Sequence, residues 1–295
     1  MYENIMIYVA YHKPYYIPSV DFLKGIQVGA ALNNERFVGM LADDTGENIS
    51  SLNKSYCELT AQYWIWKNYK SDIVGFFHYR RYLKLINENI INENKSILPY
   101  IVKKIPILQD LLNWGYDIKN IDDIFNEYDI IVPWPERFYV SVYSQYINSK
   151  DHYQKDLDQV INIINKRYPH MIKSMEKYLN GDMIYFGNVY IMKWEIFDKY
   201  MSWLFDILFE FDTKKDIEGY NKQALRVNGY LAERLFGIYL TYIIDNTKLR
   251  IYNVQKIHFE CLEGSNLSFI KKKIINMLLP PGSYIRFLVK KLFKG

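Results

Sequence analysis

The stretch GFFHYRRYL, residues 75–83, decides what fold this chain can adopt. An apolar, aromatic run ends at Phe77, four polar or charged residues follow at 78–81, and the chain turns apolar again at Tyr82. Charged residues at the end of a buried strand are typical of the ligand-binding edge of a parallel sheet, because ligands bind beyond the carboxyl ends of its strands. A basic turn without a ligand is the alternative that this stretch leaves open.

Strand-like and helix-like segments alternate on both sides of this stretch. Apolar runs rich in β-branched and aromatic residues predict strands at 5–11, 37–44, 72–79, 128–135, 183–192 and 250–260. One-faced apolar patterns predict helices at 52–66, 150–178, 195–211 and 222–244. This alternation predicts an α/β fold whose mainly parallel sheet is flanked by helices on both faces. The polar, Asn-rich residues 84–127 predict a variable insertion with short helices.

Polar residues at or near the ends of the predicted strands are the candidates for a site. They include His12 and Lys13, Asp43 and Asp44, and Gly187 and Asn188. The adjacent carboxylates of Asp43 and Asp44 suit Mg²⁺, Mn²⁺ or a ribose hydroxyl. The same pair ahead of Thr45 and Gly46 also fits ordinary turn chemistry, so both interpretations stay open.

The arginines at the end of the third predicted strand are candidates for binding phosphate. Guanidinium groups bind phosphate through two parallel hydrogen bonds and keep their charge at any physiological pH. Neighbouring residues of an extended chain point to opposite sides. We therefore expect His78 to share one face with Arg80, and Tyr79 to share the other with Arg81.

Glu233 is the candidate general base. It lies off the core face of its predicted helix, and Gly229 and Gly237 flank it four residues away on either side. Each glycine inside a helix costs about 0.5–1 kcal/mol relative to alanine. Two glycines on one stripe predict that another backbone or a ligand approaches closely there, beside a carboxylate that can accept a proton. A solvated glutamate paired with an arginine is the alternative.

The net charge of +4 comes entirely from the C-terminal end of the chain. Residues 271–295 hold seven basic and no acidic residues, which leaves 30 basic against 33 acidic residues, a net charge of −3, in residues 1–270. Because a nucleic-acid-binding protein carries its basic residues along a groove, we expect no nucleic-acid partner. The tail at 265–295 alternates basic and apolar residues around Pro-Pro-Gly, which predicts an amphipathic anchor on an anionic membrane surface. A solvated helix is the alternative.

Several motifs of other protein classes are absent from the sequence. It has no Walker A motif, no G-x-G-x-x-G, no G-x-S-x-G and no His-Glu-x-x-His. Its two unclustered cysteines, Cys57 and Cys261, indicate neither a disulfide framework nor a zinc site. The N-terminus lacks the features of a signal peptide, and no uncharged apolar run reaches the roughly 18 residues of a membrane span. We therefore expect a cytoplasmic protein bound peripherally to the inner face of the membrane.

Six stretches of the chain resemble, in the same order, a family of bacterial capsule and exopolysaccharide glycosyltransferases first catalogued as a domain of unknown function. They are YVAYHKP (8–14), DDTGENISSLNKSYCELTAQYWIWKN (43–68), IVGFFHYRRYL (73–83), HYQKDLDQVI (152–161), YIMKWEIFDKYMSWLFDILFEFD (190–212) and RVNGYLAERLFGIYL (226–240). The resemblance implies a GT-A-like hexosyltransferase domain at 1–264. It would move a sugar, galactose or galactofuranose in some relatives, from a UDP-sugar to a hydroxyl of a lipid-linked polysaccharide repeat unit.

The resemblance also implies roles for individual residues. His12 and Lys13 match the nucleotide site, and Asp43, Asp44 and Asn48 match an acidic loop. The most distinctive motif is matched by His78, Tyr79, Arg80 and Arg81, and the Glu-Arg of the C-terminal helix by Glu233 and Arg234. Asn188 and Arg226 complete the candidate donor-binding residues.

The sequence departs from the wider GT-A pattern at the end of the third predicted strand. Many GT-A enzymes bind a metal there through Asp-x-Asp, whereas this chain has residues 78–81, His-Tyr-Arg-Arg. Either Asp43 and Asp44 hold Mg²⁺ or Mn²⁺ from another strand, or no metal is needed and an arginine neutralises the leaving diphosphate. In the second hypothesis Glu233 takes the acceptor proton, and Arg80 or Arg81, helped by His78, stabilises the departing UDP.

Two functions of other classes remain as alternatives. A non-catalytic carbohydrate-binding or assembly protein on a degenerate transferase fold would bind sugars without releasing UDP. A phosphoryl-transfer enzyme would leave phosphate on the acceptor, but the sequence lacks a phosphate-cradling loop.

Truncation of the chain after Ser268 is expected to abolish its binding to anionic vesicles. Each surface Lys or Arg adds about 1 kcal/mol of attraction to an anionic bilayer, and the truncation removes all seven basic residues of the tail. The measurement is flotation with phosphatidylserine vesicles, with phosphatidylcholine vesicles as the control. Equal flotation of the full and truncated chains would contradict the prediction.

Overall fold

The computed structural model of this chain describes residues 2–18, 20–86, 100–102, 107–259, 274–279 and 283–292. The strands are β1 (Ile5–Tyr11), β2 (Leu23–Gln27), β3 (Leu41–Ala42), β4 (Ile73–His78), β5 (Arg81–Lys84), β6 (Tyr100–Val102), β7 (Ile130–Pro133), β8 (Glu136–Arg137), β9 (Met183–Ile184), β10 (Tyr190–Lys193) and β11 (Ile251–Phe259).

The helices follow in the same chain order. They are α1 (Asn53–Tyr56), α2 (Leu59–Asn68), α3 (Leu108–Asn113), α4 (Ile118–Glu127), α5 (Val142–Ile147), α6 (Gln154–Arg167), α7 (Ile172–Asn180), α8 (Trp194–Asp212), α9 (Val227–Asn246), α10 (274–278) and α11 (Tyr284–Leu292). Short 3₁₀ turns lie at Ala30–Leu32, Ser50–Leu52, Pro169–Met171 and Ala224–Arg226.

The central sheet is mixed. The strands β3, β2, β1 and β4 lie side by side and run parallel. Next to β4 lies β10, which runs antiparallel to both β4 and β7, and the first half of β11 runs parallel to β7. The second half of β11 pairs antiparallel with β5 and parallel with β6. The predicted α/β class is confirmed, whereas the prediction of a mainly parallel sheet is corrected by the antiparallel pairings of β10 and β5.

The antiparallel pairing of β5 follows from its connection to β4. Only Tyr79 and Arg80 separate the two strands, and His78 pairs directly with Arg81 across the turn. A parallel pair needs a crossover of a dozen or more residues, so a two-residue connection permits only an antiparallel hairpin. This hairpin leads the chain from the parallel part of the sheet to the second half of β11.

The strand β1 shows how the sheet separates two apolar layers. Its odd-numbered residues, from Ile5 to Tyr11, pack in one core with side chains of α3 and α4. Tyr8 and Ala10 pack in the other core, with α2 and the helices from α5 to α9. Successive side chains of a strand point to opposite faces, and a strand covered on both faces is therefore apolar throughout. Helices thus cover both faces of the sheet, as the sequence predicts.

Some predicted elements have different bounds in the structure. Of the strand predicted at 37–44, only Leu41–Ala42 pairs with the sheet, whereas β2 beside β1 was missed because Lys24 and Gly25 interrupt its apolar pattern. The helix predicted at 52–66 is broken at Cys57, which has a φ of 53°. The helix predicted at 150–178 is broken by Pro169, since proline lacks the N–H that continues a helix.

The predicted insertion and tail lie partly outside the described residues. In the predicted insertion at 84–127, residues 87–99 and 103–106 lie outside the described residues. The rest of it contains β6, α3 and α4. Within 265–295 the structure describes α10, residue 279, residue 283 and α11. None of the helices in the described ranges is long and apolar enough to cross a membrane.

The ring of Tyr178 on α7 explains one of the two glycines beside Glu233. A Cβ atom on Gly237 would lie 1.9 Å from Cζ of Tyr178, which is buried. A Cβ atom on Gly229 would lie 3.2 Å from the Cys57 Sγ atom, a much milder approach. At both glycines the nearest atoms belong to protein side chains, so Tyr178 and Cys57 make the close approach predicted for this stripe.

Gly237→Ala is expected to lower the stability of the fold. Overpacking of a filled core costs about 1–3 kcal/mol, which exceeds the roughly 0.5–1 kcal/mol gained from helix propensity. Urea unfolding of the variant measures the change in the free energy of unfolding. Gly229→Ala in the same helix is the matched control and should cost less. A Gly237→Ala protein as stable as the parent would contradict the assigned packing.

Candidate active site

The turn between β4 and β5 brings His78 and Arg81 to the same face of the hairpin. They are direct cross-strand partners, and Arg81 pairs on its other side with His258 of β11. Side chains of directly opposed residues lie on one face, about 4.5–5.5 Å apart at their Cβ atoms. The expectation that His78 shares a face with Arg80 is therefore wrong, because the chain is not extended there but turns at Tyr79 and Arg80.

Tyr79 is buried and anchors the turn to the end of β1. Its backbone N–H donates to the carbonyl of Ala10 at 3.1 Å, and its ring stacks on Tyr15 with centroids 5.0 Å apart. The Tyr79 hydroxyl and the His12 Nε2 atom are 3.5 Å apart. Tyr79 and His12, both predicted to bind the donor, are therefore neighbours, and Lys13 follows on the exposed end of the strand.

Arg80 and Arg81 differ in their surroundings. Arg80 is exposed, its guanidinium lies 5.0 Å from the centroid of the Tyr79 ring, and its carbonyl accepts the N–H of Phe259. Arg81 is half-buried, and its Nη1 atom lies 3.1 Å from where a Cβ atom of Gly187 would be. The hairpin therefore directs one arginine to solvent and the other across the sheet towards Gly187.

His78 lies among positive charges. The pKa of its imidazole lies well below the ordinary value of 6.5, mainly because the ring is buried. The positive charges of nearby side chains lower it further, namely those of Arg81, Arg80, His12 and Arg226. Its Nδ1 atom accepts the backbone N–H of Arg80 at 3.3 Å. A neutral ring that accepts a hydrogen bond from the turn is thus the form that the site favours.

The residues Gly187 and Asn188 form a left-handed turn between β9 and β10. Their φ angles are 100° and 48°. A side chain at Gly187 would meet Arg81, so this position combines a conformation and a close approach that only glycine permits. The Gly-Asn interruption seen in the sequence is therefore the turn between β9 and β10 that the Arg81 side chain approaches.

Glu233 on α9 lies on the other side of this turn. Its Oε1 atom accepts the N–H of Gly187 at 2.8 Å, and its Oε2 atom lies 3.4 Å from Arg234 Nη1. Only 15% of its side chain is exposed, so the solvated glutamate considered from the sequence is not found. Burial raises the pKa of the Glu233 carboxyl, against the opposing charges of Arg234 and Arg81.

Arg234 is a buried arginine, with 1% of its side chain exposed. Its Nη2 atom donates to the Gln145 Oε1 atom at 2.5 Å, and its guanidinium lies 5.4 Å from the ring centroid of Tyr146 and 5.2 Å from that of Phe186. It was predicted to bind the donor, but these contacts enclose it within the protein. Within the protein it contacts the Glu233 carboxylate at 3.4 Å.

Glu58 lies beside the turn at Gly187 and Asn188 and was not predicted from the sequence. Its Oε1 atom accepts the Asn188 Nδ2 hydrogen at 3.0 Å, and it directly follows Cys57, whose Sγ atom lies 3.2 Å from Arg226 Nε. The guanidinium of Arg226 also lies 5.8 Å from the ring centroid of Tyr230. Glu58 lies in the stretch SYCELT, residues 55–60, whose apolar spacing predicts one continuous helix. That spacing gives no sign of the helix break at Cys57, which sets Glu58 at the start of a new helix.

The two aspartates of the acidic loop predicted to hold a metal contact other groups of the protein. Asp43 is fully buried and accepts hydrogen bonds from the N–H groups of Gly29 and Ala30, both at 2.9 Å, and from the Ser50 hydroxyl at 2.5 Å. Asp44 pairs with the Arg36 guanidinium at 2.5 Å. These partners engage both oxygens of Asp43 and one oxygen of Asp44, whereas the buried Oδ1 atom of Asp44 has no hydrogen-bond partner among the described residues. The arrangement around Asp43 fits the turn interpretation of this pair.

Asn48 also serves the local turn, since its Oδ1 atom accepts the N–H of Ser50 at 3.1 Å and its Nδ2 atom donates to the carbonyl of Gly46 at 3.0 Å. Within the part of the chain that the structure describes, three or more His, Cys, Asp or Glu side chains are nowhere grouped so that they could hold a metal ion.

The candidate site therefore brings together charged and titratable side chains from three separate parts of the chain. The hairpin supplies His78 and Arg81, the start of α2 supplies Glu58, and α9 supplies Glu233, with Arg226 at its N-cap. The cations suit the binding of an anionic group, and the carboxylates suit acceptance of a proton from a hydroxyl. Asn188, which is buried, contacts this group through its side-chain hydrogen bond to Glu58.

Comparisons with known proteins agree with this architecture. The family model described as a domain of unknown function (DUF4422) matches residues 6–246. The apo structure of the bifunctional glycosyltransferase WbbM is similar, with a TM-score of 0.81 and 30% sequence identity. The match covers 88% of this chain and 46% of that chain, so this chain spans about half the length of the protein it matches. No curated protein matches the chain.

The His78 imidazole is expected to remain neutral throughout the physiological pH range. Because its folded-state pKa is lowered, the stability linked to this residue is complete above pH 6.5 and is lost as the pH falls towards the lower, folded-state value. A pH titration of the imidazole carbon-bound protons by NMR measures the pKa, with His78→Gln as the control that assigns the signal. A midpoint at or above 6.5 would contradict the described surroundings.

Proposed function

The chain belongs to the family described as a domain of unknown function, DUF4422, and we propose that it acts as a glycosyltransferase. The observation that carries the proposal is the position of Arg81, which lies beside Gly187 while the N–H of that glycine is held by Glu233. A fixed cation and a carboxylate on either side of one turn provide the two charges that sugar transfer requires. The likeness to one part of a bifunctional glycosyltransferase supports the same activity.

We propose that the donor is a UDP-sugar and that the reaction is a single displacement. The acceptor oxygen attacks the anomeric carbon, and the bond from that carbon to the β-phosphate oxygen breaks with its electron pair. Negative charge then builds on the diphosphate, where a preorganised cation is most effective. Arg81 is proposed to stabilise this negative charge, with neutral His78 beside it. Arg80 and Arg226, which are exposed, are proposed to bind the diphosphate from the solvent side.

His12, Lys13 and Tyr79 are proposed to bind the nucleotide. Tyr79 and His12 lie against each other at the end of β1, with ring centroids 4.8 Å apart. An aromatic ring beside a basic residue suits a base or ribose next to a phosphate group. Both oxygens of Asp43 accept protein donors and one oxygen of Asp44 pairs with Arg36, so the arginines are proposed to supply the positive charge in place of a divalent metal.

The acceptor is proposed to be a hydroxyl of a lipid-linked capsular or exopolysaccharide repeat unit, with galactose or galactofuranose as the transferred sugar. The basic tail supports a location at the membrane surface. In its described residues, Met277 and Leu278 of α10 are 72% and 68% exposed, and Ile285 of α11 is 61% exposed. Exposed apolar residues beside lysines are typical of helices that lie in the plane of an anionic bilayer.

A UDP-release assay with a panel of UDP-sugars tests this function. UDP release that depends on a lipid-linked saccharide acceptor is the expected result, and retention of the rate in excess EDTA would agree with a metal-independent mechanism. Sugar binding without UDP release would instead indicate a non-catalytic carbohydrate-binding protein. Transfer of radiolabelled phosphate to the acceptor would indicate phosphoryl transfer. A strict requirement for Mg²⁺ or Mn²⁺ would contradict the arginine mechanism.

Arg81→Ala is expected to reduce the turnover number about 10²–10³-fold, because it removes a preorganised cation at the developing charge. Arg80→Ala should have a smaller effect, since Arg80 is exposed and rests on Tyr79. Steady-state UDP release measures both variants. Arg167→Ala, which removes an exposed arginine paired with Asp206, is the control. Near-parental rates in both Arg80→Ala and Arg81→Ala would refute this role for the hairpin.

A further inference from the structure

Two carboxylates hold consecutive residues of the same turn. The Nδ2 atom of Asn188 donates to Glu58 Oε1 at 3.0 Å, and the N–H of Gly187 donates to Glu233 Oε1 at 2.8 Å. The charge of Glu58 also contributes to the raised pKa of Glu233, which means that the two acids lie close enough to interact. Glu58 therefore belongs to the same candidate site as the carboxylate predicted from the sequence.

Backbone strain is concentrated on both sides of the contact between Glu58 and Asn188. Among the residues that the structure describes, the non-glycine residues with positive φ are Cys57, Asp151 and Asn188. Two of them are Asn188 itself and the residue directly before Glu58. Strained backbone persists only where the surrounding structure determines it, and it clusters at functional sites. The break at Cys57 ends α1 and sets Glu58 at the N-cap of α2.

The two carboxylates differ in how many of their oxygens are engaged. Both oxygens of Glu233 have protein partners, one at Gly187 and one at Arg234. Glu58 is half-buried, and only its Oε1 atom accepts a hydrogen bond from the residues that the structure describes. A general base must have an oxygen that can reach the hydroxyl proton of its substrate. Glu58 Oε2 meets this requirement better than either oxygen of Glu233.

The groups that face Glu58 include a cation, a second carboxylate and two neutral side chains. The N-terminus of α2 carries the positive end of the helix dipole. Arg226, at the N-cap of α9, interacts electrostatically with Glu58, as do Cys57, Tyr190 and Glu233. Burial raises the pKa of the Cys57 thiol to about 11 and that of Tyr190 well above its ordinary value. Neither group therefore carries a competing charge at neutral pH.

We propose that Glu58 is the catalytic residue that accepts the acceptor's hydroxyl proton, and that Glu233 is a positioning residue that holds the turn at Gly187 and Asn188. This inference rests on the proposed transferase function. As the acceptor oxygen forms its bond to the anomeric carbon, its O–H bond breaks and the proton passes to Glu58 Oε2. The bond from the anomeric carbon to the diphosphate oxygen breaks, and its electron pair leaves with UDP. Protonated Glu58 then returns the proton to water.

The test compares Glu58→Gln and Glu233→Gln in the full chain by the pH dependence of the turnover number. Removal of a general base should reduce the rate about 10²–10⁴-fold and abolish the rise of the rate with pH on the acidic side. We expect this result for Glu58→Gln, with the donor KM little changed. Glu233→Gln should be slower but should keep the acidic rise. His78→Gln determines whether the low pKa of His78 contributes to that rise.

Glu195→Gln is the matched control, because it removes an exposed carboxylate from the first turn of another helix, α8, and should retain the parental rate. Circular dichroism and thermal unfolding establish that the variants are folded. Partial recovery of Glu58→Ala by added formate would support the proposal, since a small carboxylate can occupy the vacated space.

Three results would overturn the assignment. A parental rate in Glu58→Gln would show that this carboxylate is not needed. Loss of the acidic rise in Glu233→Gln alone would return the base role to Glu233. A parent protein that releases no UDP with any donor and acceptor would refute the transferase function itself, and this inference with it.

Discussion

The left-handed turn at Gly187 and Asn188 is the constraint on which the geometry of the candidate site depends. Its N–H group at Gly187 is held by Glu233 of α9, and the side chain of Asn188 is held by Glu58 at the start of α2. The carbonyl of Phe186 lies 3.5 Å from the Nζ atom of Lys256 on β11. Because a φ of 100° suits glycine alone and a Cβ atom at 187 would lie 3.1 Å from Nη1 of Arg81, any other residue at 187 would strain the turn and press on Arg81.

The mixed sheet brings these groups together from distant parts of the chain. The second half of β11 leaves β7 and pairs with β5, so the hairpin that carries Arg81 lies against the last strand of the fold. The strand β10 pairs antiparallel with β4, so the turn that precedes it lies near the end of β4. Two antiparallel pairings thus place residues 81 and 187 beside each other, although more than a hundred residues of chain separate them.

Two buried cations, Arg234 and Lys256, lie beside the candidate site. Arg234 lies between the rings of Tyr146 and Phe186 and contacts both Gln145 and Glu233. Lys256, also buried, pairs with Glu136 at 2.7 Å. Removing one partner of a buried pair leaves an uncompensated charge, so these residues keep fixed positions. In the proposed transfer, such fixed neighbours would hold Arg81 and the two glutamates in place before the substrate binds.

The α/β class, the strand β1, the helix α8 and the polar end of β4 could be predicted from the sequence alone, and so could the Gly-Asn interruption of the strand predicted at 183–192. These features depend on local pattern, because apolar periodicity and strand ends are written in consecutive residues. It took the three-dimensional structure to show that His78 pairs with Arg81, that Asp43 accepts the N–H groups of Gly29 and Ala30, and that Glu58 contacts Asn188. The physical reason is that strand direction, a positive φ at Cys57 and partners distant in the chain have no signature in local periodicity.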